Sequence, residues 1–503
     1  MCGVLGIYGN DYVAQDAYDA LVTLQHRGQD ATGIITYDGR FHTHKDLGLV
    51  RDVYHTRHMR ELQGYAAIGH TRYSTIGGLG VEDAQPFLGQ SPFGVALAHN
   101  GNVFNSYDLK KELFEKDHRL VNSNNDAEII LHLFTKALTK QKSEDIKPEN
   151  IYKAVKSVYD RARGAYSVVS YIAKHGMVAF RDPHGIRPLV FGKRKHGMTT
   201  DYMFASESAT LDIVGFELIG DVGPGEVVFI EEKTRKVYRK KVDEKSFTPC
   251  IFEYIYFARP DSVLNGISVY KAQRRMGESL ASQIKASKLD IDVVMPVPDS
   301  SRTAALALAD KLGIKYREGL VKNRYIGRTF IMPDQGTRKK SIRYKLNPMK
   351  LEIEGKKILL VDDSIVRGNT SREIVRMVRE AGAKKVYFVS VSPPVTSPCL
   401  YGIDIPTKEE LIAAQQSVKE VQKFIGADAL FYAEIKDTFA ACHEGNPKVK
   451  DFCMACFDGK YKTGDIDAKV LKKNAESRLK DKCCESPEQE FGAETSKSQL
   501  NLI

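Results

Sequence analysis

The sequence predicts an α+β domain followed by an α/β domain, and three observations carry that expectation. Short apolar strands broken by glycine crowd the first 230 or so residues, among them GVLGIYG, GVALAHNGN, AYSVVSYIA and GEVVFIE. Strands at such close intervals, with helical segments set apart, point to large sheets in a layered domain. From about Ser262 strands and helices alternate, and near-continuous apolar strands such as IDVVMPVP and KILLV belong in a parallel sheet covered on both faces. The third observation is size: 503 residues exceed one compact domain, which holds roughly 100–200.

The elements follow in chain order. Asp16–Leu24 and Asp126–Lys140 have helical period, the second through Ile129, Ile130, Leu133, Phe134 and Leu138. Glu231–Ser246 is charged and reads as an exposed hairpin or a linker. Ser268–Lys285 is a helix, Ile291–Pro298 a strand, and Arg302–Leu312 a helix stopped by Gly313. Lys357–Val361 is a buried strand, Thr370–Ala381 a helix and Lys385–Ser392 another strand. Thr407 with Glu410 makes a capping box for a helix reaching Ile425, with Gly426 as its stop. Past about Asp465 the chain turns polar, which predicts a short helix and a mobile tail. The expected boundaries are 1–235 for the first domain, 236–261 for a connecting segment, 262–465 for the second domain and 466–503 for the tail.

Composition narrows the function. A net charge of +10 over this length is a mild excess, and no dense Lys/Arg tract favours a nucleic-acid binder over an enzyme of anionic substrates. No apolar run approaches the roughly 18 residues of a membrane span. MCGVLGIYGN lacks the basic and apolar regions of a signal peptide. Eight cysteines are too few for a secreted disulfide scaffold and suit a reducing, cytoplasmic setting.

The N-terminus carries the first candidate site. With Met1 removed, Cys2 offers a thiol nucleophile and an α-amino base in one residue. Downstream lie LQHRGQDATGI, GHTRYST, AHNGN and SNNDAE. Asn100 and Gly101 can form an oxyanion hole. Arg72 can clamp a carboxylate with the Thr75 hydroxyl nearby, and Asp126 can accept an ammonium. Such a set recognises a free amino acid and cleaves its side-chain amide. These segments resemble the glutaminase domain of the N-terminal-nucleophile amidotransferases, which implies a four-layer αββα fold. The resemblance also implies Cys2 as nucleophile, Asn100 and Gly101 as oxyanion hole, and Arg72, Thr75 and Asp126 as glutamine ligands.

KILLVDDSIVRGNTS carries the second. A buried strand delivers Asp362 and Asp363 at its C-terminal end, where open α/β sheets bind ligands. The backbone from Ser364 through Arg367, Gly368 and Asn369 to Thr370 can cradle a phosphate at a helix N-terminus. The two carboxylates would repel that phosphate and suit ribose hydroxyls and Mg²⁺. MPVPDSSRTAA adds Arg302 for a pyrophosphate, and the basic stretch Lys322–Met349 is long enough for a lid. The strand-DDSIVRG-loop signature resembles type I phosphoribosyltransferases, which bind 5-phosphoribosyl 1-pyrophosphate (PRPP) with Mg²⁺. Joined to the first half, it resembles the amidophosphoribosyltransferase family over about nine-tenths of the chain. By that correspondence Ser300, Asp362 and Asp363 are metal-associated. FEYIYFARPDS matches the family's interdomain segment and GRTFI the start of its flexible loop. The resemblance further implies a homotetramer and purine nucleotides as feedback inhibitors.

Cys453 and Cys456 form a CxxC, and Cys250 and Cys399 have no evident packing reason. Four thiolates suit tetrahedral zinc or an iron–sulfur centre equally on spacing. The resemblance to the cluster-bearing branch of the family implies a [4Fe-4S] cluster on these four. Cys442 reads as a packing residue, and Cys483 and Cys484 fall in the tail. Cluster-bearing relatives often carry a propeptide, whereas here only Met1 precedes Cys2, so maturation is expected to need only methionine removal. Two competing readings are weaker. Another amidotransferase, such as a glucosamine-phosphate or asparagine synthase, would need a different second half. A phosphoribosyltransferase-fold regulator that binds nucleic acid without turnover would not need Cys2, Arg72 and Asn100–Gly101.

Overall fold

The structure, a computed structural model, describes residues 2–73, 80–139, 146–323 and 346–484, with side chains through residue 476. In the N-terminal half two antiparallel sheets lie face to face. One has seven strands in the order Glu217–Asp221, Val190–His196, Thr199–Ala205, Gly3–Tyr8, Ala66–Arg72, Ala31–Tyr37 and Phe41–Leu47. The other has six: Val237–Lys241, Glu226–Glu231, Gly176–Arg181, Gly164–Ile172, Val95–Val103 and Phe87–Gly89.

Strand period sorts the residues between layers. Along Val95–Val103, Ala96 and Ala98 face the sister sheet and join Val4, Ile68, Val169 and Met177 in the core between the sheets. Val95 and Leu97 point the other way, into a core shared with Ile130 and Phe134 of the helix Asp126–Thr139 and Val155 of the helix Pro148–Arg161. The seven-stranded sheet is covered by Ala14–Thr23 and Ser208–Val214, through Ala17, Leu21 and Leu211 packed on Leu5 and Ile7. The result is the αββα layering that the sequence resemblance implies. The charged stretch after Glu231 resolves as a hairpin, with Val237–Lys241 paired to Glu226–Glu231 at the sheet edge. Basic side chains along that strand keep the edge from pairing with another chain.

The C-terminal half is built on a five-stranded parallel sheet, in the order Lys315–Tyr316, Val293–Pro296, Lys357–Asp362, Lys385–Ser390 and Ala429–Tyr432. The Ser268 hydroxyl caps the helix Val269–Ala286 by accepting from the Lys271 amide, and Gly313 at φ 71° stops Arg302–Leu312. The expected single helix from Thr407 to Ile425 is corrected by the structure. Ile412 N–H donates to the Val366 carbonyl at 3.1 Å, and the chain turns extended at Gln416. A new helix, Val418–Ile425, starts there. Its capping box is Ser417 with Glu420, while the Thr407 side chain makes no capping bond. Attachment to the loop after the central strand outweighs local helix preference. Of the expected lid, residues 324–345 lie outside the described residues, and at its base Leu320–Lys322 pairs with Leu346–Pro348.

The two halves share a core. Ile251, Phe252, Val269 and Met276 join the cluster that contains Leu5, Leu21 and Leu211. Among the described residues no helix is long and apolar enough to cross a membrane.

Gly277 sets the approach of the helices Val269–Ala286 and Arg302–Leu312, because a Cβ there would fall 2.1 Å from the Ala304 carbonyl oxygen. Gly277→Ala is expected to destabilise by about 1–3 kcal/mol through overpacking, more than the roughly 1 kcal/mol alanine adds in helix propensity. Thermal unfolding followed by circular dichroism checks this; an unchanged or raised midpoint would show that the helices separate without cost.

Candidate active sites

Strand pairing builds the N-terminal site. Gly3 lies opposite Thr71, so Cys2 emerges beside Arg72 and Tyr73. The Cys2 sulfur is 3.5 Å from the Tyr73 amide nitrogen and 3.7 Å from its carbonyl. The facing sheet brings Asn100, whose Oδ1 accepts from the Cys2 backbone nitrogen at 3.2 Å. Asn100 Nδ2 is buried and, among the described residues, has no hydrogen-bond partner. A buried donor left unpaired is costly, so its persistence calls for a use. Gly101 sits at φ 153°, where a Cβ would fall 2.0 Å from the Ala165 carbonyl, so only glycine fits.

Asp126 opens its helix against the same strand. Its Oδ2 accepts from the Val103 amide at 2.7 Å, and Oδ1 lies 3.1 Å from His99 Nε2. The guanidinium of Arg72, itself buried, lies 3.9 Å from the Asp83 carboxylate. Cys2, Asn100 and Gly101 are thus neighbours, with Arg72 and Asp126 attached to the same two strands. Thr75 lies outside the described residues.

Several supporting residues were not singled out from sequence. Arg27, fully buried, donates from Nε to the Cys2 carbonyl at 3.1 Å and from Nη2 to Glu253 at 2.8 and 3.0 Å, and its Nη1 pairs with Glu207. Burial alone would push Glu207 up, yet His26 and Arg27 beside it hold it well below the usual carboxylate range. The only sequence signal was Arg27 in LQHRG; its partners lie some 180 and 226 residues away. Gln85 accepts from the His99 amide at 2.8 Å and donates to Asn125 at 3.4 Å, which ties the Asp126 turn to the strand of Asn100.

The second site forms where the parallel strands end. Pro296 lies beside Val361, so the loops that follow adjoin at the C-terminal edge. The Ser300 and Ser364 hydroxyls both donate to Asp363, Ser364 at 2.5 Å, and Asp362 accepts from the Asp363 amide at 3.0 Å. Burial pushes both carboxyls up, and the charge of Asp363 pushes Asp362 further. Among the described residues neither has an ion-pair partner, and two buried carboxylates beside a hydroxyl are a donor set that suits a hard cation. Gly368 at φ 75° leads into the helix Asn369–Glu380, with Thr370 in its first turn. Arg367 pairs with Glu410 at 2.8 Å, and Arg302 with Asp299 at 3.3 Å and Glu318 at 3.1 Å. Asn369 accepts from Arg372 at 3.4 Å.

The four cysteines come from three segments stitched together by backbone. Cys453 N–H donates to the Pro249 carbonyl at 3.0 Å and Ile251 N–H to the Cys453 carbonyl at 3.2 Å. Thr396 and Ser397 both donate to the Cys456 carbonyl, at 2.9 and 3.1 Å, three and two residues before Cys399. Burial pushes the Cys250 thiol up to about 11 despite Arg187 beside it. Burial and the neighbouring cysteines push Cys453 and Cys456 well above the ordinary range. All four are free thiols, and among the described residues no group of three or more His, Cys, Asp or Glu is placed to hold a metal ion. Cys442 is buried in the core.

Glu128 fixes the turn before Asp126 by accepting from the Ser123 amide at 2.7 Å, the Asn122 amide at 3.1 Å and the Ser123 hydroxyl at 2.6 Å. Burial opposes its charge, but His132, Ser123 and these amides hold its pKa down to about 2, from 4.5. A depressed carboxylate contributes stability above its unfolded pKa and loses it as pH falls through the folded one. Glu128→Gln is therefore expected to be less stable at neutral pH, by about 2 kcal/mol after solvent screening. The gap should close between pH 4.5 and 2. Denaturant midpoints across that range test it, and a pH-independent gap would refute the assignment.

Known proteins match both halves of the chain. The glutamine amidotransferase domain family matches residues 70–212 and the phosphoribosyl transferase domain family residues 269–394. The amidophosphoribosyltransferase of Pseudomonas aeruginosa is 52% identical over 481 residues, covering 95% of this chain and 96% of its own length. That of Escherichia coli is 49% identical over 476 residues, covering 94% of each. The structure of glutamine PRPP amidotransferase from B. subtilis, complexed with ADP and GMP, superposes with a TM-score of 0.81 at 39% identity, covering 93% of this chain and 98% of its own. With relatives this similar over nearly its whole length, the chain belongs to the amidophosphoribosyltransferase family.

Proposed function

We propose that the N-terminal site hydrolyses glutamine and that the ammonia released displaces pyrophosphate from C1 of PRPP at the second site, giving 5-phosphoribosylamine. This is the first step of purine biosynthesis, the reaction of the family. The observation that carries the first half is the Asn100 side chain, which holds the Cys2 backbone nitrogen with its oxygen while its buried amide has no partner among the described residues. After loss of Met1, the Cys2 amine takes the thiol proton and the sulfur attacks the amide carbon. Asn100 Nδ2 and Gly101 N–H receive the oxyanion, Arg72 and Thr75 hold the substrate carboxylate, and Asp126 its ammonium. Ammonia departs with the proton, and water hydrolyses the thioester to glutamate.

At the second site, Ser364, Arg367, Gly368, Asn369 and Thr370 bind the 5-phosphate, Arg302 the pyrophosphate, and Asp362 and Asp363 the ribose hydroxyls. Ser300, Asp362 and Asp363 would hold Mg²⁺, whose charge would favour departure of pyrophosphate. Arg302 and Arg367 exchange their present carboxylate partners for substrate phosphates. Purine nucleotides are the feedback ligands this reading adds, supported by the ADP and GMP of the B. subtilis relative, and a cytoplasmic homotetramer completes it.

Cys250, Cys399, Cys453 and Cys456 would hold a [4Fe-4S] cluster, which would cross-link three distant segments. The stitched backbone and all-thiol donor set support this. Four thiolates suit a single tetrahedral ion or a cluster alike, and it is the resemblance to the cluster-bearing branch of the family that favours iron.

Cys2→Ala is expected to abolish glutamine-dependent synthesis while free ammonia still supports phosphoribosylamine formation; equal loss of both in folded protein would remove the two-site reading. Asp362→Ala should raise the KM for PRPP and lower turnover with either nitrogen source, leaving basal glutaminase activity. Unchanged PRPP kinetics would place the site elsewhere. Protein prepared without oxygen should be brown, with about four irons per chain. Cys453→Ser should be colourless and unstable, and Cys483→Ser should match wild type. Stoichiometric zinc without iron would overturn the cluster.

A further inference from the structure

One segment of the C-terminal half lies directly on the strand that carries Asn100 and Gly101. Gly402 is buried at φ 98°, and a Cβ there would fall 2.7 Å from the Gly101 carbonyl carbon and 2.8 Å from its oxygen. Two residues earlier, the Leu400 carbonyl accepts from Asn102 Nδ2 at 2.9 Å in a buried bond. Two residues later, Asp404 lies 3.5 Å from the hydroxyl of Tyr73, whose amide faces the Cys2 sulfur. The segment is itself anchored. Cys399 Sγ accepts from the Tyr401 amide at 3.3 Å, and the Tyr401 hydroxyl meets the Thr463 hydroxyl at 2.8 Å and accepts from its amide at 3.1 Å.

We infer that Gly402 and the Leu400 carbonyl are positioning elements of the glutaminase reaction, supplied by the phosphoribosyl half, that hold the Asn100–Gly101 strand where its donors meet the developing oxyanion. The inference rests on the reading of Asn100 and Gly101 as the oxyanion hole. Its physical content is backbone packed on backbone. A side chain at Gly402 cannot escape by changing rotamer, because the atoms it meets belong to the Gly101 peptide itself, and positive φ adds strain. The strand has to move, and hydrogen bonds to an oxyanion are lost with small displacements because they count only where charge develops. Asn102 is the second tie. Its bond to Leu400 fixes the residue after Gly101, so the chain just C-terminal to the Gly101 N–H is held at two points from across the interface.

The experiment uses full-length enzyme with PRPP present. Gly402→Ala is expected to lower kcat for glutamine hydrolysis on the order of 10- to 100-fold, short of the loss on deleting an oxyanion donor. The KM for glutamine should stay within about three-fold, the signature of an interaction made only in the transition state. Alkylation of Cys2 by iodoacetamide should proceed at the wild-type rate, since it needs no oxyanion hole. Ammonia-dependent synthesis should be retained, which also reports correct folding. Asn102→Ala should show the same pattern with a smaller fall, and it carries the test if Gly402→Ala does not fold. Wild-type kcat in both variants, or parallel loss of glutamine- and ammonia-dependent activity, would overturn the inference. Asn100→Ala separates the two levels: full kcat there would remove the oxyanion reading itself. A large loss there with none in Gly402→Ala and Asn102→Ala would refute only the positioning role.

Discussion

Full burial of Arg27 between two carboxylates is the constraint on which the rest of the architecture turns. Glu207 belongs to the glutaminase layers and Glu253 to the segment that leads into the phosphoribosyl half, while the remaining donor of Arg27 holds the Cys2 carbonyl. Charges removed from water persist only when paired with good geometry, and loss of one partner strands the others. The same guanidinium therefore fixes both Cys2 and the joint between the halves. Glu207 extends the joint by accepting from the Arg259 amide and the Ser262 hydroxyl, both at 2.9 Å. Arg187 comes within 3.7 Å of Glu253 and stands beside Cys250, so the polar core continues toward the cysteine region.

Around that joint the two halves use different geometry for the same end. The N-terminal site is assembled across strands of facing antiparallel sheets, which place Cys2 and Asn100 opposite each other without a loop of their own. The C-terminal site is assembled from loops at one edge of a parallel sheet, where strand ends deliver Asp362, Asp363 and Ser300 together. Rigid strands suit fixed transition-state donors. Loops let side chains change partners, as an exposed ion pair such as that of Arg367 with Glu410 can.

The apolar core that runs through both halves makes the interface part of the fold. Interfaces between domains are commonly polar and open to motion. Here Ile251, Phe252 and Val269 pack with Leu21 and Leu211, and Gly402 touches Gly101. Packing thus joins the segment around Gly402 directly to the strand of Asn100 and Gly101.

What the sequence by itself determined was local. Alternation and glycine spacing marked the strands, and Gly313 and Gly426 stopped their helices because only glycine enters the left-handed region without cost. The order strand, Asp362–Asp363, glycine loop and helix was legible because all its parts lie within fifteen residues of chain. Cys2, Asn100 and Asp126 were picked out by residue chemistry and given roles by resemblance, but nothing in their spacing shows that the fold places Cys2 on Asn100 and Asp126 on the strand that carries it. Tertiary structure alone decided the rest. Thr407 and Glu410 have the pattern of a capping box, yet the expected helix is broken into Lys408–Glu410, Ile412–Gln415 and Val418–Ile425, with Ile412 bonded to Val366 in a different loop. Arg27 looked like any arginine beside a glycine until the fold enclosed it with partners far along the chain. Gly402 lay outside every motif. Its role depends on which backbone it meets, and that is set only when the two halves pack.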